Sequence, residues 1–397
     1  MKHYTLFHPD FDLEKNALTN VLEQEDLLPY ANYVVAQNSA PHKLSQEFLK
    51  FLCSYRSIKN LFFHKFIKKN KWQQIPLYAC CLNSATSGLT ASLWANGITS
   101  GEVITTSFNY VGVGNAIVMA GAKPQFVDID PKTFCLDPKK LAAAITKNTK
   151  AIILVHVNQM IDLEPIAEVL SKKGVNIPVI SDASLAIGSN LDGLPAGLIN
   201  LGKGGTTVFS FATSKILSGL GGAVVVGHDL ELITKIQSIA YQGFDFQDMS
   251  ELVCFGANFK MCDLNASLIL EQLKKREQIF SKRRQIKTWY DENLADLVKA
   301  KKISIQEIKG QGIVTHYMIL MPKRQQIAQE LIQKRIQLGM WHSLHTQPIY
   351  QKRFKYKKGS LPITEKLVEQ ISFLPFHTKL EKTDVKFICE AIKKAIS

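Results

Sequence analysis

Between residues 77 and 211 the chain alternates short runs that are apolar on both faces with longer stretches of helical period. The runs cover 77–82, 103–106, 125–127, 151–155 and 178–181, and the amphipathic stretches lie near 87–96, 110–121, 138–147 and 162–173. A strand apolar on both faces needs a helix layer on each side, so this rhythm predicts βαβ units around a mostly parallel sheet. Two further runs, 207–211 and 222–227, have no long helix between them, and at least one of the pair is expected to run antiparallel. After about 228 helical periodicity takes over, with Asp263 expected to cap a long helix reaching roughly 292. Strands near 303–307 and 313–321, a helix over 324–338 and a last helix over 382–396 complete an α+β tail. The fold class expected is α/β, with a smaller α+β C-terminal domain. The division is 1–76, mostly helical (near 13–25 and 43–69); 77–269, the large α/β domain; and 270–397, the small one. No Gly/Pro-rich linker marks the boundary near 270, as expected if the two domains share a continuous helix.

Composition narrows the class. With 46% hydrophobic and 21% charged residues, and no apolar run of bilayer-spanning length, the 397-residue chain reads as globular, with no membrane partner. The start, Met1-Lys2-His3-Tyr4, lacks the apolar stretch of a signal peptide, so a cytoplasmic protein is expected. Seven scattered cysteines show neither CxxC nor zinc-ligand spacing and read as reduced thiols, with no metal expected. The net charge of +14 gathers in lysine-rich patches at 65–71, 282–287 and 352–358. Such patches are either solvated faces or a field that steers a phosphorylated small molecule. No nucleic-acid recognition motif accompanies them, and no nucleic-acid partner is expected.

The chemistry lies at strand ends. Asn83-Ser84-Ala85-Thr86-Ser87-Gly88-Leu89 follows a strand and opens a helix, where backbone N–H groups and the Thr86 and Ser87 hydroxyls can hold an anion. Alone, the segment is equally a helix cap. Tyr110 stands at the next strand-to-helix junction, on the same edge of a parallel sheet, where its ring can either pack or cover a planar ligand. Asp182 ends another apolar strand, as a helix cap or as a buried carboxylate that needs a cationic partner. Lys215 follows the run Phe209-Ser210-Phe211 and precedes Gly219, Gly221 and Gly222. A lysine that can hold an aldehyde as a Schiff base and a carboxylate that can keep a pyridine nitrogen protonated are what pyridoxal phosphate requires.

The series resembles the DegT/StrS family of nucleotide-sugar aminotransferases, which have the aspartate-aminotransferase fold (fold type I). The likeness runs from about residue 77 to the C-terminus. It is densest at 83–89, at 101–108, at 121–130, at 149–156, in Phe209-Ser210-Phe211 before Lys215, and in Leu374-Pro375-Phe376. The resemblance implies that Lys215 carries pyridoxal 5'-phosphate, Asp182 pairs with the pyridinium nitrogen and Tyr110 stacks on the ring. Thr86, Ser87 and Ser210 would hold the phosphate. Asn258, in Gly256-Ala257-Asn258-Phe259-Lys260, would reach it from the neighbouring subunit of a homodimer. The implied reaction moves an amino group, from glutamate, to a keto sugar linked to a nucleotide. Leu185 stands where the family has Gln or His, Ile216 where it has Asn, and Lys260 where it has Arg. The N-terminal region lacks the family's glycine-containing segment. Dehydration of a sugar nucleotide, or a weakened protein that binds or regulates without turnover, are the alternative readings. His156, His342 and His345 are candidate substrate contacts.

Overall fold

The apolar runs form one seven-stranded sheet in the order β1-β9-β8-β5-β4-β2-β3. The computed structural model describes residues 2–7, 15–22, 39–55, 76–246 and 248–396. In chain order the elements begin with helices α1 (Lys15–Leu22) and α2 (Ala40–Ser54). The sheet and its helices follow: β1 (Tyr78–Leu82), α3 (Ala85–Ala95), β2 (Glu102–Thr106), α4 (Val111–Met119), β3 (Lys123–Val127), α5 (Pro138–Ala144), β4 (Thr149–Val155), α6 (Glu164–Lys172) and β5 (Val179–Asp182). A small hairpin, β6 (Asn190–Leu191) and β7 (Leu194–Pro195), precedes β8 (Thr206–Ser210), β9 (Ala223–Gly227) and α7 (Leu230–Ala240). Strand β9 is antiparallel to both neighbours, β1 and β8, while the other pairings in this sheet are parallel. The sequence expected that exception in the short connection between β8 and β9.

Helix α3 owes its place to two local features. Ser84 is its N-cap and accepts the Ser87 N–H, satisfying one of the donors that a helix start leaves open. One turn in, a Cβ on Gly88 would stand 2.9 Å from Val208 Cγ1 and 3.0 Å from Val225 Cγ2. Glycine therefore lets the helix start press directly onto β8 and β9.

The C-terminal part holds α8 (Asp263–Lys274), α9 (Arg276–Lys299), β10 (Ser304–Ile305), β11 (Tyr317–Leu320), α10 (Arg324–Gln333), α11 (Pro348–Phe354), α12 (Pro362–Gln370), β12 (Ile371–Leu374) and α13 (Lys382–Ile396). Strands β10, β11 and β12 make an antiparallel sheet. A separate core with Tyr290, Tyr317 and Phe376 packs against it. Tyr4 joins this core, its N–H bonded to the Arg335 carbonyl, so the first described residues pack with the C-terminal part. Helix α2 instead packs its Phe48 and Leu52 with Phe209 and Phe211 of the large sheet.

Two sequence expectations are corrected. Asp263 is not a cap: Cys262 holds that position, and the Asp263 carboxylate accepts the Ala40 N–H at 2.9 Å, tying α8 to α2. The single helix expected to 292 is two helices that meet at Lys275, and the second continues to Lys299. The Arg276 guanidinium takes the Leu273 carbonyl at 3.0 Å across the break. A one-residue kink without Gly or Pro hardly disturbs the apolar period, which is why it left no mark in the sequence. The helix expected over 43–69 is described only to Ser54, and the 65–71 patch lies outside the described residues.

Candidate active site

The strand-end residues converge on one edge of the large sheet. Register places Val155 beside Asp182 and Asp182 beside Val208, and further along the edge Ser210 beside Ala223 and Ala223 beside Leu82. The segments after β1, β5 and β8 therefore leave the sheet together, where an open α/β sheet holds its ligands.

The anion end is built around Asn83. Its N–H donates to the Phe259 carbonyl at 2.6 Å, its carbonyl accepts the Gly222 N–H at 2.8 Å, and its side-chain amide donates to the Asn258 carbonyl at 3.3 Å. The Ser87 hydroxyl donates to Asn83 Oδ1 at 2.6 Å and lies 2.8 Å from the Ser84 hydroxyl. The Ser87 side chain thus braces the turn, and its N–H already serves the Ser84 cap. Among the described residues no hydrogen bond engages the Thr86 hydroxyl. A Cβ on Gly112 would meet Thr86 Oγ1 at 2.7 Å and the Tyr110 ring at 3.4 Å, so the bare glycine keeps hydroxyl and ring side by side. Tyr110 is 60% exposed at the N-cap of α4, an aromatic face available to a flat ligand. Ser210 is buried at the end of β8, its hydroxyl accepting the Ala212 N–H at 3.4 Å. The Asn258 backbone lies on this chain's own Asn83, and its side chain belongs to an exposed residue.

Asp182 and Lys215 supply the electrostatics. Asp182 is buried, and burial raises its pKa against the bonds from Ser184, whose N–H donates at 2.9 Å, and against the charge of Lys215. Lys215 is half-buried, and burial lowers its pKa against the pull of Asp182. Each group feels the other, yet desolvation dominates both: the site holds a carboxylate and an amine at the expense of their charges. Such a site calls for a cationic ring nitrogen beside Asp182 and an aldehyde at Lys215. With the free Thr86 hydroxyl and the Tyr110 face, these residues fit pyridoxal phosphate.

The three departures also have places. Leu185 and Ile216 are buried in the apolar core, and Lys260 bridges Leu82 at the end of β1. The candidate histidines diverge. His345 is fully buried between the Ser107 hydroxyl at 2.7 Å and Glu365 at 2.9 Å, which makes it a structural tie. His342 is exposed. His156 follows β4, donates its backbone N–H to the Asp182 carbonyl at 3.0 Å, and accepts the Ile161 N–H on Nδ1 at 2.9 Å. Burial brings its pKa down to about 4. Sequence reading missed His316, which feels the charges of Lys215 and Arg283 after the larger effect of burial. Its position inside the apolar run 313–321 hides it in the sequence. Among the described residues no group of three or more His, Cys, Asp or Glu side chains could hold a metal, and no helix is long and apolar enough to cross a membrane.

The DegT/DnrJ/EryC1/StrS aminotransferase family model matches residues 71–393. The chain is similar to the UDP-2-acetamido-2-deoxy-3-oxo-D-glucuronate aminotransferase of Pseudomonas aeruginosa, 33% identical over 325 residues that cover 79% of this chain and 85% of the relative. It is also similar to the pleiotropic regulatory protein of Geobacillus stearothermophilus, 32% identical over 315 residues that cover 78% and 82%. Among solved structures, Helicobacter pylori PseC, an aminotransferase involved in the biosynthesis of pseudoaminic acid, superposes with a TM-score of 0.81 at 24% identity over 100% of this chain and 99% of that one. Sheet order, strand-end residues and family match agree: the chain belongs to the DegT/DnrJ/EryC1/StrS aminotransferase family and is a pyridoxal-phosphate-dependent aminotransferase of fold type I.

Proposed function

We propose that this enzyme transfers an amino group from glutamate to a keto sugar carried by a nucleotide. The observation that carries the chemistry is that Asp182, buried at the end of β5, and Lys215, in the segment after β8, stand near enough for each to act on the other's charge while burial shifts both toward their neutral forms. The substrate class follows from the Pseudomonas relative, whose name specifies a UDP-linked keto sugar. Pyridoxal phosphate, when bound, supplies an aldehyde to carry nitrogen and a ring to take up an electron pair. Lys215 would hold it and, once the donor's amine has taken its place, its freed amine, with its pKa lowered by burial, would move the proton at the donor's α-carbon. Asp182 pairs with the ring nitrogen, Tyr110 covers one face, and the Thr86 and Ser210 hydroxyls with the Ser87 N–H take the phosphate.

We place Asn258 in the active site of a second copy. The segment leading to it carries exposed Leu252, Val253 and Phe255, and Leu220 is exposed after Lys215. Contiguous apolar surface beside a site favours a partner, and a homodimer would cover it. The seven free cysteines suit a reducing compartment, the cytoplasm. We take 77–269 as the cofactor-binding domain, 270–397 as the smaller one and 1–76 as an N-terminal segment; the core around Tyr290, Tyr317 and Phe376, drawn apart from Tyr4 from residues after 285, supports the division.

A second reading, binding or regulation without turnover, draws on the name of the Geobacillus relative and on the apolar Leu185 and Ile216. One assay separates the two: purified protein with pyridoxal phosphate, glutamate and a panel of nucleotide-linked keto sugars. Amino transfer predicts release of 2-oxoglutarate with a matching amino sugar by mass spectrometry. Loss of a hydroxyl instead would indicate dehydration. Cofactor bound at Lys215 without turnover on any acceptor would favour the second reading.

A further inference from the structure

Residues 314–316 of the C-terminal part are fastened to the large sheet beside the lysine by buried polar groups. Asn158, in a left-handed conformation at φ 61, accepts the N–H groups of Thr315 at 2.9 Å and His316 at 3.2 Å and donates to the His316 carbonyl at 2.8 Å. Arg283 donates to the carbonyls of Val314 at 3.1 Å and Thr315 at 3.4 Å. The Thr315 hydroxyl donates to the Leu185 carbonyl at 3.1 Å, three residues after Asp182.

This clamp fixes a histidine whose ring has no polar partner. His316 is 5% exposed, and its ring stacks on Phe373 at 4.9 Å and 12° and stands edge-on to Trp341 at 5.9 Å and to Phe7 at 5.5 Å. Among the described residues no hydrogen bond reaches either ring nitrogen. Neither ring nitrogen is sealed off by protein atoms, so the polar edge of an otherwise buried ring stays open to an acceptor brought by a ligand. Burial, with the charges of Lys215 and Arg283, keeps the ring neutral, with one nitrogen as donor.

The place of that donor decides what it meets. Phosphate-binding candidates follow β1 and β8, whereas Leu185 follows β5, the next strand along the sheet edge, and the Thr315 hydroxyl ties the neighbour of His316 to it. On the pyridine ring of the cofactor, the phenolic oxygen adjoins the aldehyde carbon on the side away from the phosphate arm. That oxygen carries negative charge, and Leu185, buried and apolar, offers it no donor. We propose that His316 supplies the hydrogen bond to the cofactor's phenolic oxygen from across the domain junction, in place of the side chain at position 185. The inference rests on the cofactor reading above.

A donor there draws negative charge from the ring oxygen and lowers the pH at which the bound chromophore loses its proton. The charged groups that act on the same titration are Lys215 itself, Asp182 and Arg283. His316→Phe keeps the stacking on Phe373 and Trp341 while removing both ring nitrogens. In cofactor-loaded protein its absorbance titration midpoint should rise by about one to two pH units, the scale of one hydrogen bond to a charged group. Adding Leu185→Gln to that variant should bring the midpoint back toward wild type. His316→Gln, which keeps a donor, should shift it less than the phenylalanine. An unchanged midpoint in a His316→Phe protein that binds cofactor stoichiometrically and melts as wild type overturns the inference. So does a lowered melting temperature with no shift, which would make His316 structural. Failure of the wild-type protein to form any chromophore would instead overturn the underlying cofactor reading.

Discussion

At Asp182 the cost of burying a carboxylate is visible in a single side chain. The carboxylate is buried, and burial outweighs both the Ser184 bonds and the charge of Lys215, leaving its folded pKa above the ordinary 3.8. The folded state therefore holds its proton to higher pH than the unfolded chain, and stability falls as pH rises from 3.8 through the raised folded value. Asp182→Asn should accordingly raise the melting temperature of cofactor-free protein at neutral pH, and the gain should vanish below about pH 4. The same variant should lose turnover by about 10²–10³-fold, the scale of an electrostatic contact aimed at a reacting centre. Thermal melts across pH check the first part; equal stability of the two proteins at every pH would contradict it. Asp182 stands out in the sequence because it ends an apolar run, where a carboxylate is costly unless paired, and Lys215 because it follows such a run ahead of Gly219, Gly221 and Gly222. His316 was not legible, because one histidine inside an apolar run reads as part of a strand. Its significance appears only when Asn158, Arg283 and Leu185, far apart in sequence, come together around it.

At the scale of elements, α3 is the piece whose placement matters most. Its first turn carries Thr86 and Ser87, and Gly88 sets how closely it meets Val208 and Val225. Gly88→Ala should destabilise the protein by about 1–3 kcal/mol, the cost of overpacking, and should loosen cofactor retention because Thr86 moves away from Ser210. Denaturant unfolding and a dialysis assay of bound cofactor read the two effects; loss of stability with undiminished retention would detach the cradle from the helix position. The βαβ rhythm announced this element, as it announced the sheet, since strands covered on both sides leave runs without polar interruption. The kink at Lys275 and helices α11 and α12 escaped notice for the opposite reason. The kink preserves the apolar period, and the two short helices each place only part of a turn in the core behind Pro348 and Pro362.

For the whole molecule, the C-terminal segments are tied to the large sheet by a shared core that takes in Met318 and Phe373 and by buried amides. Gln306 donates to the carbonyls of Thr133 at 2.7 Å and Val157 at 2.9 Å, and Gln159 accepts the Lys309 N–H at 2.8 Å. Together with Asn158 these bonds fix the C-terminal part against the edge of the sheet that carries Asp182. Breaking them would leave several buried polar groups unsatisfied, so a stable junction is favoured over free hinging. The surface that remains apolar lies around Leu252, Val253 and Phe255, near the residue we assign to a second copy's site. The net charge of +14 suits an enzyme whose cofactor and proposed substrate both carry phosphate. We place the cofactor on one lysine, Lys215, among the many of a basic chain. The direct measurement is borohydride reduction of the protein incubated with pyridoxal phosphate, followed by peptide mass spectrometry. The account predicts a pyridoxyl group on Lys215, absent when glutamate is added first and absent in Lys215→Ala. A protein that remains unmodified at Lys215, or carries the group on surface lysines alone, would contradict it.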